Sequence, residues 1–212
     1  MKVRSLNELT DTLSDDLVRR KREMSSIKLL IDEARPHEQH GLRRAAFAML
    51  YAHWEGFIRL AGTAYLGFVG HKGLRFADLK PNFTAASLKS KLQDLGEISK
   101  ATIVTATVQQ LIYNQNDIAS FGWAGEVDCR SNLNSEVLAE ITCLLGIPFS
   151  NYEMRGQFLD NTLLANRNDI AHGRMVQVEA NDFLTAHETV LNLIEQFRTD
   201  IENAAAAETY RR

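Results

Sequence analysis

Apolar residues recur every three or four positions through most of the first 70 residues, and Pro36 is the only proline in that stretch. A stripe at that spacing can be buried continuously only on a helix, whose turn takes 3.6 residues. Leu6, Leu9, Leu13, Leu17, Met24, Ile27 and Leu30–Ile31 form the first stripe and predict an amphipathic helix over about residues 5–34. Pro36 marks its break, because the residue before a proline is pushed out of the helical region. A second helix is expected over about His37–Val69. It carries two stripes: Leu42, Ala46, Met49, His53, Phe57, Ala61, Ala64 and Phe68 on one, and Leu50, Trp54, Ile58 and Tyr65 on the other. Two apolar faces require contacts on two sides, so this helix is central or lies at an interface.

Composition narrows the function classes. The 212 residues include three prolines and 45% apolar residues, enough for long helices around one core. The net charge of −3 excludes an overall basic surface for wrapping long duplex nucleic acid and leaves room for a local basic cleft. Cys129 and Cys143 lie 14 positions apart without a CxxC pattern, which points to free thiols in a reducing compartment. Met1–Leu13 is polar and mixed in charge, unlike a secretory signal. The most apolar stretch, Arg44–Val69, is interrupted by His53, Glu55 and Arg59 and does not read as a membrane span. A cytoplasmic location is expected.

Residues 70–132 change character. Gly70, Gly73, Pro81, Asn82 and Gly96 punctuate them, and Ser87–Leu95 has the makings of a short helix. Ile98–Tyr113 is rich in Thr, Val and Ile, which favour strand locally, yet its length and isolation favour helix. Gly122–Asn132 reads as loop. Asn134 and Ser135 then open a short helix that ends at Gly146–Ile147–Pro148. A further helix from about Glu153 reaches Arg167–His172, and a last one starts with Asp182 as N-cap, with a fraying alanine-rich tail and Arg211–Arg212. The expected fold is all-α: one helical bundle with a loop-rich insertion between the second and fourth helices.

The stretch that can carry chemistry is Asn166-Arg167-Asn168-Asp169-Ile170-Ala171-His172, where polar residues interrupt an apolar helical pattern. Polar groups set among core residues need partners or a purpose. An arginine grips a phosphate with a bidentate fork and stays charged. A histidine titrates near neutrality and can take or deliver a proton. An anion clamp and a proton shuttle are what RNA cleavage through the 2′-hydroxyl needs. On an ideal helix, residues five apart point about 140° apart. Arg167 and His172 can therefore cooperate only across a bend near Asn168, at a helix end, or in a pocket completed by a second subunit. The bland alternative is a helix-end salt bridge from Arg167 to Asp169 or Asp160, with His172 capping the helix dipole.

Other candidates are weaker. His37, Glu38 and His40 flank the turn at Pro36 and make a poor metal cluster, so no metal or cofactor is expected. His53, Trp54 and His187 read as core. Arg43, Arg44 and Arg59 can line a substrate groove or remain solvated, and Arg19-Arg20-Lys21-Arg22 reads as a solvated basic face that could touch an RNA backbone.

Arg167 followed by a polar residue and, five positions on, by His172 resembles the signature of the HEPN superfamily. Leu50-Tyr51-Ala52-His53-Trp54-Glu55-Gly56-Phe57-Ile58-Arg59 is similar to the mid-helix aromatic–Glu segment of one branch found in bacterial defence loci. The two matches stand in the expected order and span about residues 40–200. The resemblance implies a HEPN-like bundle that dimerises, with the two motifs facing across one cleft. It implies Arg167 and His172 as the catalytic pair, supported by Asn168 and, less directly, Asp169. Glu55 is a further candidate, a carboxylate that would orient Arg167. Members are commonly ribonucleases that act as toxins of toxin–antitoxin pairs, and some relatives only bind. The expected partners are therefore an RNA substrate, a second copy of the chain and, for a toxin, an antitoxin protein. The rival expectation is a non-catalytic helical module using the same groove.

Overall fold

A computed structural model describes residues 3–88, 101–121, 127–130 and 132–212. Helix α1 (Leu6–Glu33) is capped by Ser5, whose Oγ accepts from the Glu8 N–H at 3.1 Å. Helix α2 (Pro36–His71) begins with Pro36 at its first position, where a missing N–H costs nothing. Then come α3 (Pro81–Ser87), α4 (Ala101–Tyr113), α5 (Ser135–Leu145), α6 (Ala165–Ala171) and α7 (Ala180–Ala206). A π-helical segment, Phe158–Leu164, runs directly into α6. Among the described residues there is no strand, only two isolated bridges, Arg75 with Ile118 and Leu79 with Arg211.

The three long helices α1, α2 and α7 pack on one another pairwise. The periodicity reading holds for α2, which buries Phe47, Leu50, Trp54, Phe57, Ile58, Ala61, Tyr65 and Phe68 around its circumference. Trp54 is 0% exposed, and His53 and His187 also lie in the core. The insertion threads along α2: the Val127 N–H donates to Thr63 Oγ1 (3.0 Å), and the Leu133 N–H donates to the Tyr51 hydroxyl (2.7 Å). Helix α5 is capped by Asn134 and closes on Gly146 at φ +67, a left-handed turn that glycine adopts without strain. The stretch with strand propensity, α4, is helical. The short helix expected at Ser87–Leu95 and much of the loop at Gly122–Asn132 fall outside the described residues.

Three expectations are corrected. Helix α7 starts at Ala180 rather than after Asp182, and its N-cap is Glu179. The C-terminus does not fray: Tyr210 is fully buried, edge-on to Phe68 and Phe83 at 6.2 Å each, and Arg212 donates to the Leu79 carbonyl at 2.8 Å. Arg20 is no part of a solvated face. It is buried on α1, donating to Asp16 on its own helix and to the His53 carbonyl of α2 at 2.9 Å. The glycine beside it makes room: a Cβ on Gly56 would meet the Arg20 Nη atoms at 2.9 and 3.0 Å. Gly56→Ala is therefore expected to push Arg20 off its carboxylate and carbonyl, costing about 1–3 kcal/mol. Chemical denaturation measures it, and a neutral or stabilising result would show that the guanidinium has space to yield.

His53 and His187 also predict how stability follows pH. Burial is the main force holding both imidazoles below their ordinary value; Arg20, and more weakly Arg19, push His53 the same way against Glu23 and Asp16. The unfolded chain binds those protons more readily, so the stabilising contribution is complete above about pH 6.5 and is lost as pH falls through the folded-state values. Melting temperature should fall from pH 7.5 to pH 5. A curve flat or rising toward acid over that range would show that neither histidine resists protonation.

Candidate active site

Tyr51, Glu55 and Arg59 occupy successive turns of α2 and so share one face. Helix α6 crosses that face and brings Arg167, Ile170 and Ala171 to it. Together with the small side chains Ala48, Ala52 and Gly56, these residues line an open pocket of 420 Å³. Small residues on α2 are what let α6 approach and leave room for a ligand.

Arg167 is the centre of this pocket. Its guanidinium lies over the Tyr51 ring, 4.1 Å from the centroid. Nη1 donates to the Asn168 amide oxygen at 2.8 Å, and Nη2 is 3.9 Å from a Glu55 carboxylate oxygen. The other Glu55 oxygen accepts from Arg59 at 2.8 Å. Glu55 thus faces two arginines, Arg59 closely and Arg167 at a distance. The Tyr51 phenol is pushed up to about 12, chiefly by burial and then by hydrogen bonding to Glu55, against the Leu133 N–H and Arg167. Below the pocket, burial and then the Glu55 charge push the Cys129 thiol up to about 11, so it stays protonated.

His172 stands at the end of α6, as its C-cap, with an exposed side chain. The helix stops there because Gly173 turns left-handed at φ +73. The Gly173 N–H then returns to the Ile170 carbonyl (3.1 Å) and the Arg174 N–H to the Asp169 carbonyl (2.8 Å). Of the three geometries open from the sequence, the described chain contains the helix end. His172 is one residue beyond Ala171 at the pocket edge and is not among the lining residues.

The sequence candidates therefore divide. Arg167, Asn168 and Glu55 come together. Asp169 does not join them: it pairs with Arg174 at 2.7 Å. Asp160, the other carboxylate weighed for Arg167, accepts instead from the Ser135 N–H at 2.6 Å, so neither bland salt bridge forms, although His172 does occupy the capping position. Arg43 and Arg44 hold the chain after the motif against α2, donating to the Val178 and Arg174 carbonyls at 2.7 Å each. Tyr51 was not anticipated as part of the site. Its spacing of four from Glu55 puts it on the same helix face, and that signal was present in the sequence. Among the described residues no three His, Cys, Asp or Glu side chains gather as a metal site, and no helix is long and apolar enough to cross a membrane.

A family profile described as HEPN_MAE_28990-like HEPN matches residues 9–210. The chain belongs to this HEPN family. No curated protein and no solved structure matches it significantly. HEPN membership agrees with the all-α bundle and suggests a ribonuclease-like or nucleotide-related function.

Proposed function

We propose that this HEPN chain is a metal-independent endoribonuclease that works as a cytoplasmic homodimer, the toxin of a toxin–antitoxin or other defence system. The observation that supports it most is Arg167, seated on the Tyr51 ring in an open pocket, five residues before an exposed histidine at a helix end. In this reading Arg167 stabilises the charge that develops on the scissile phosphate. His172 takes the proton from the 2′-hydroxyl or delivers one to the departing 5′-oxygen. The 2′-oxygen bonds to phosphorus as the 5′-oxygen leaves, giving a 2′,3′-cyclic phosphate and a 5′-hydroxyl. Dimerisation would bring a second His172 to the pocket that its own chain's His172 only borders.

That last feature also favours a second reading, a HEPN module that binds RNA or a protein through the same groove without cleaving. Incubating wild type, His172→Ala and Arg167→Ala with total RNA in EDTA separates the two. Cleavage by wild type alone, with cyclic phosphate ends, supports the nuclease. Binding that survives His172→Ala, with no cleavage by any form, supports the module.

A further inference from the structure

One buried side chain of the pocket is one for which the reaction has no direct use. Tyr51 is 3% exposed. Its ring lies beneath the Arg167 guanidinium, and its hydroxyl accepts the Leu133 N–H at 2.7 Å. We infer that Tyr51 is the positioning residue of this site: its ring seats the Arg167 guanidinium, and its hydroxyl fastens the chain at Leu133 to α2.

The physical case rests on how a guanidinium can be held without being spent. An arginine side chain is long and loses much rotamer freedom on being ordered, so a phosphate-binding arginine gains from a seat prepared in advance. A carboxylate seat grips the N–H edge with opposite charge and competes with the phosphate for both. An aromatic seat grips the face, and phosphate binds at the edge. The geometry follows this division. Glu55 stands off Arg167 at 3.9 Å while giving its close contact, 2.8 Å, to Arg59. In the plane of the group, Nη1 donates to the neutral amide of Asn168. The ring contact, at 4.1 Å, bears on its face.

Tyr51→Phe and Tyr51→Leu separate this from a purely structural role. Both lose the hydroxyl and its bond to Leu133, and only phenylalanine keeps the ring. The first readout needs no activity: NMR of protein with isotope-labelled arginine, the Arg167 side-chain signal being assigned by its absence in Arg167→Lys. The ring current should displace that signal in wild type and in Tyr51→Phe, and the displacement should vanish in Tyr51→Leu. An Arg167 signal unchanged in Tyr51→Leu overturns the inference. The second readout rests on the nuclease reading. Tyr51→Leu should lower kcat about 10²-fold, the scale of a misplaced catalytic group, with KM little altered. Tyr51→Phe should recover most of it, and Tyr51→Leu combined with Arg167→Ala should be no slower than Arg167→Ala alone. Equal losses in the two tyrosine variants, or losses that multiply in the double variant, make Tyr51 structural only. Absence of cleavage by wild type removes the nuclease reading and leaves the NMR result to decide the seat.

Discussion

Alanine at His172 should lower RNA cleavage by about 10²–10⁴-fold, the range a positioned proton-transfer group supplies, while leaving the fold intact. The side chain is exposed, and the turn that ends α6 is made by the backbone of residues 168–174 rather than by the imidazole. Surface substitutions away from such features shift stability by about 0.5 kcal/mol or less. Arg167→Ala should cost cleavage comparably, and Arg167→Lys should not rescue it, because an ammonium lacks the planar fork and the face that rests on Tyr51. Arg167→Ala leaves Glu55 its contact with Arg59, so it too should fold. End-labelled RNA with mapping of the cleaved ends is the measurement. Undiminished cleavage by His172→Ala would remove the histidine from the mechanism and transfer the proton to another group.

The largest effect on stability is expected at Arg20. Arg20 and Asp16 form an ion pair whose side chains are only 7% and 10% exposed, and Arg20 also donates to the His53 carbonyl. Removing Arg20 leaves Asp16 only its more exposed partner, Arg19 at 2.6 Å, and takes a donor from the His53 carbonyl. Arg20→Ala should therefore cost about 2–3 kcal/mol. Exchanging both partners for apolar residues of similar size should restore most of that loss, since an apolar pair has no charge to desolvate. Urea unfolding of wild type, the single variant and the double variant tests both statements. A single variant within about 1 kcal/mol of wild type would mean that Arg19 alone suffices for Asp16.

Arg20 also shows why the sequence was readable in some places and not in others. The helices α1, α2 and α7 were legible because burial on a helix imposes its own period on the residues, and Pro36 separated the first two. The same period contained the exception: Leu13, Leu17, Arg20 and Met24 lie on one stripe, and all four are buried. Arg20 was nevertheless read as surface from its basic neighbours, because only the facing helix shows that a glycine has left space for it. Within the site, the sequence brought out Arg167, Asn168 and Glu55, through the motif and the carboxylate in the middle of α2. Tyr51 escaped because a tyrosine on a buried stripe looks like any core aromatic until α6 is seen to lay an arginine on its face. The docked C-terminus escaped for a related reason. A lone tyrosine after an alanine run gives no local sign that Phe68 and Phe83 are waiting for it.

The π-helical turns of Phe158–Leu164 act as a vernier for the arginine. Wide turns hold one more residue than the α-helix would accommodate over the same path, and they stand immediately before the segment that carries Arg167. Each residue of α-helix advances the side chains by about 100°. Losing a single residue there would let the turns relax to ordinary pairing over the same path and leave the guanidinium on α2; losing a second, with no slack left, would swing every later position round the axis by that angle. The chemistry of this pocket is thus set by a count of residues as much as by their identity. A relative with the same motif and two residues fewer in that stretch would keep its letters and lose its aim.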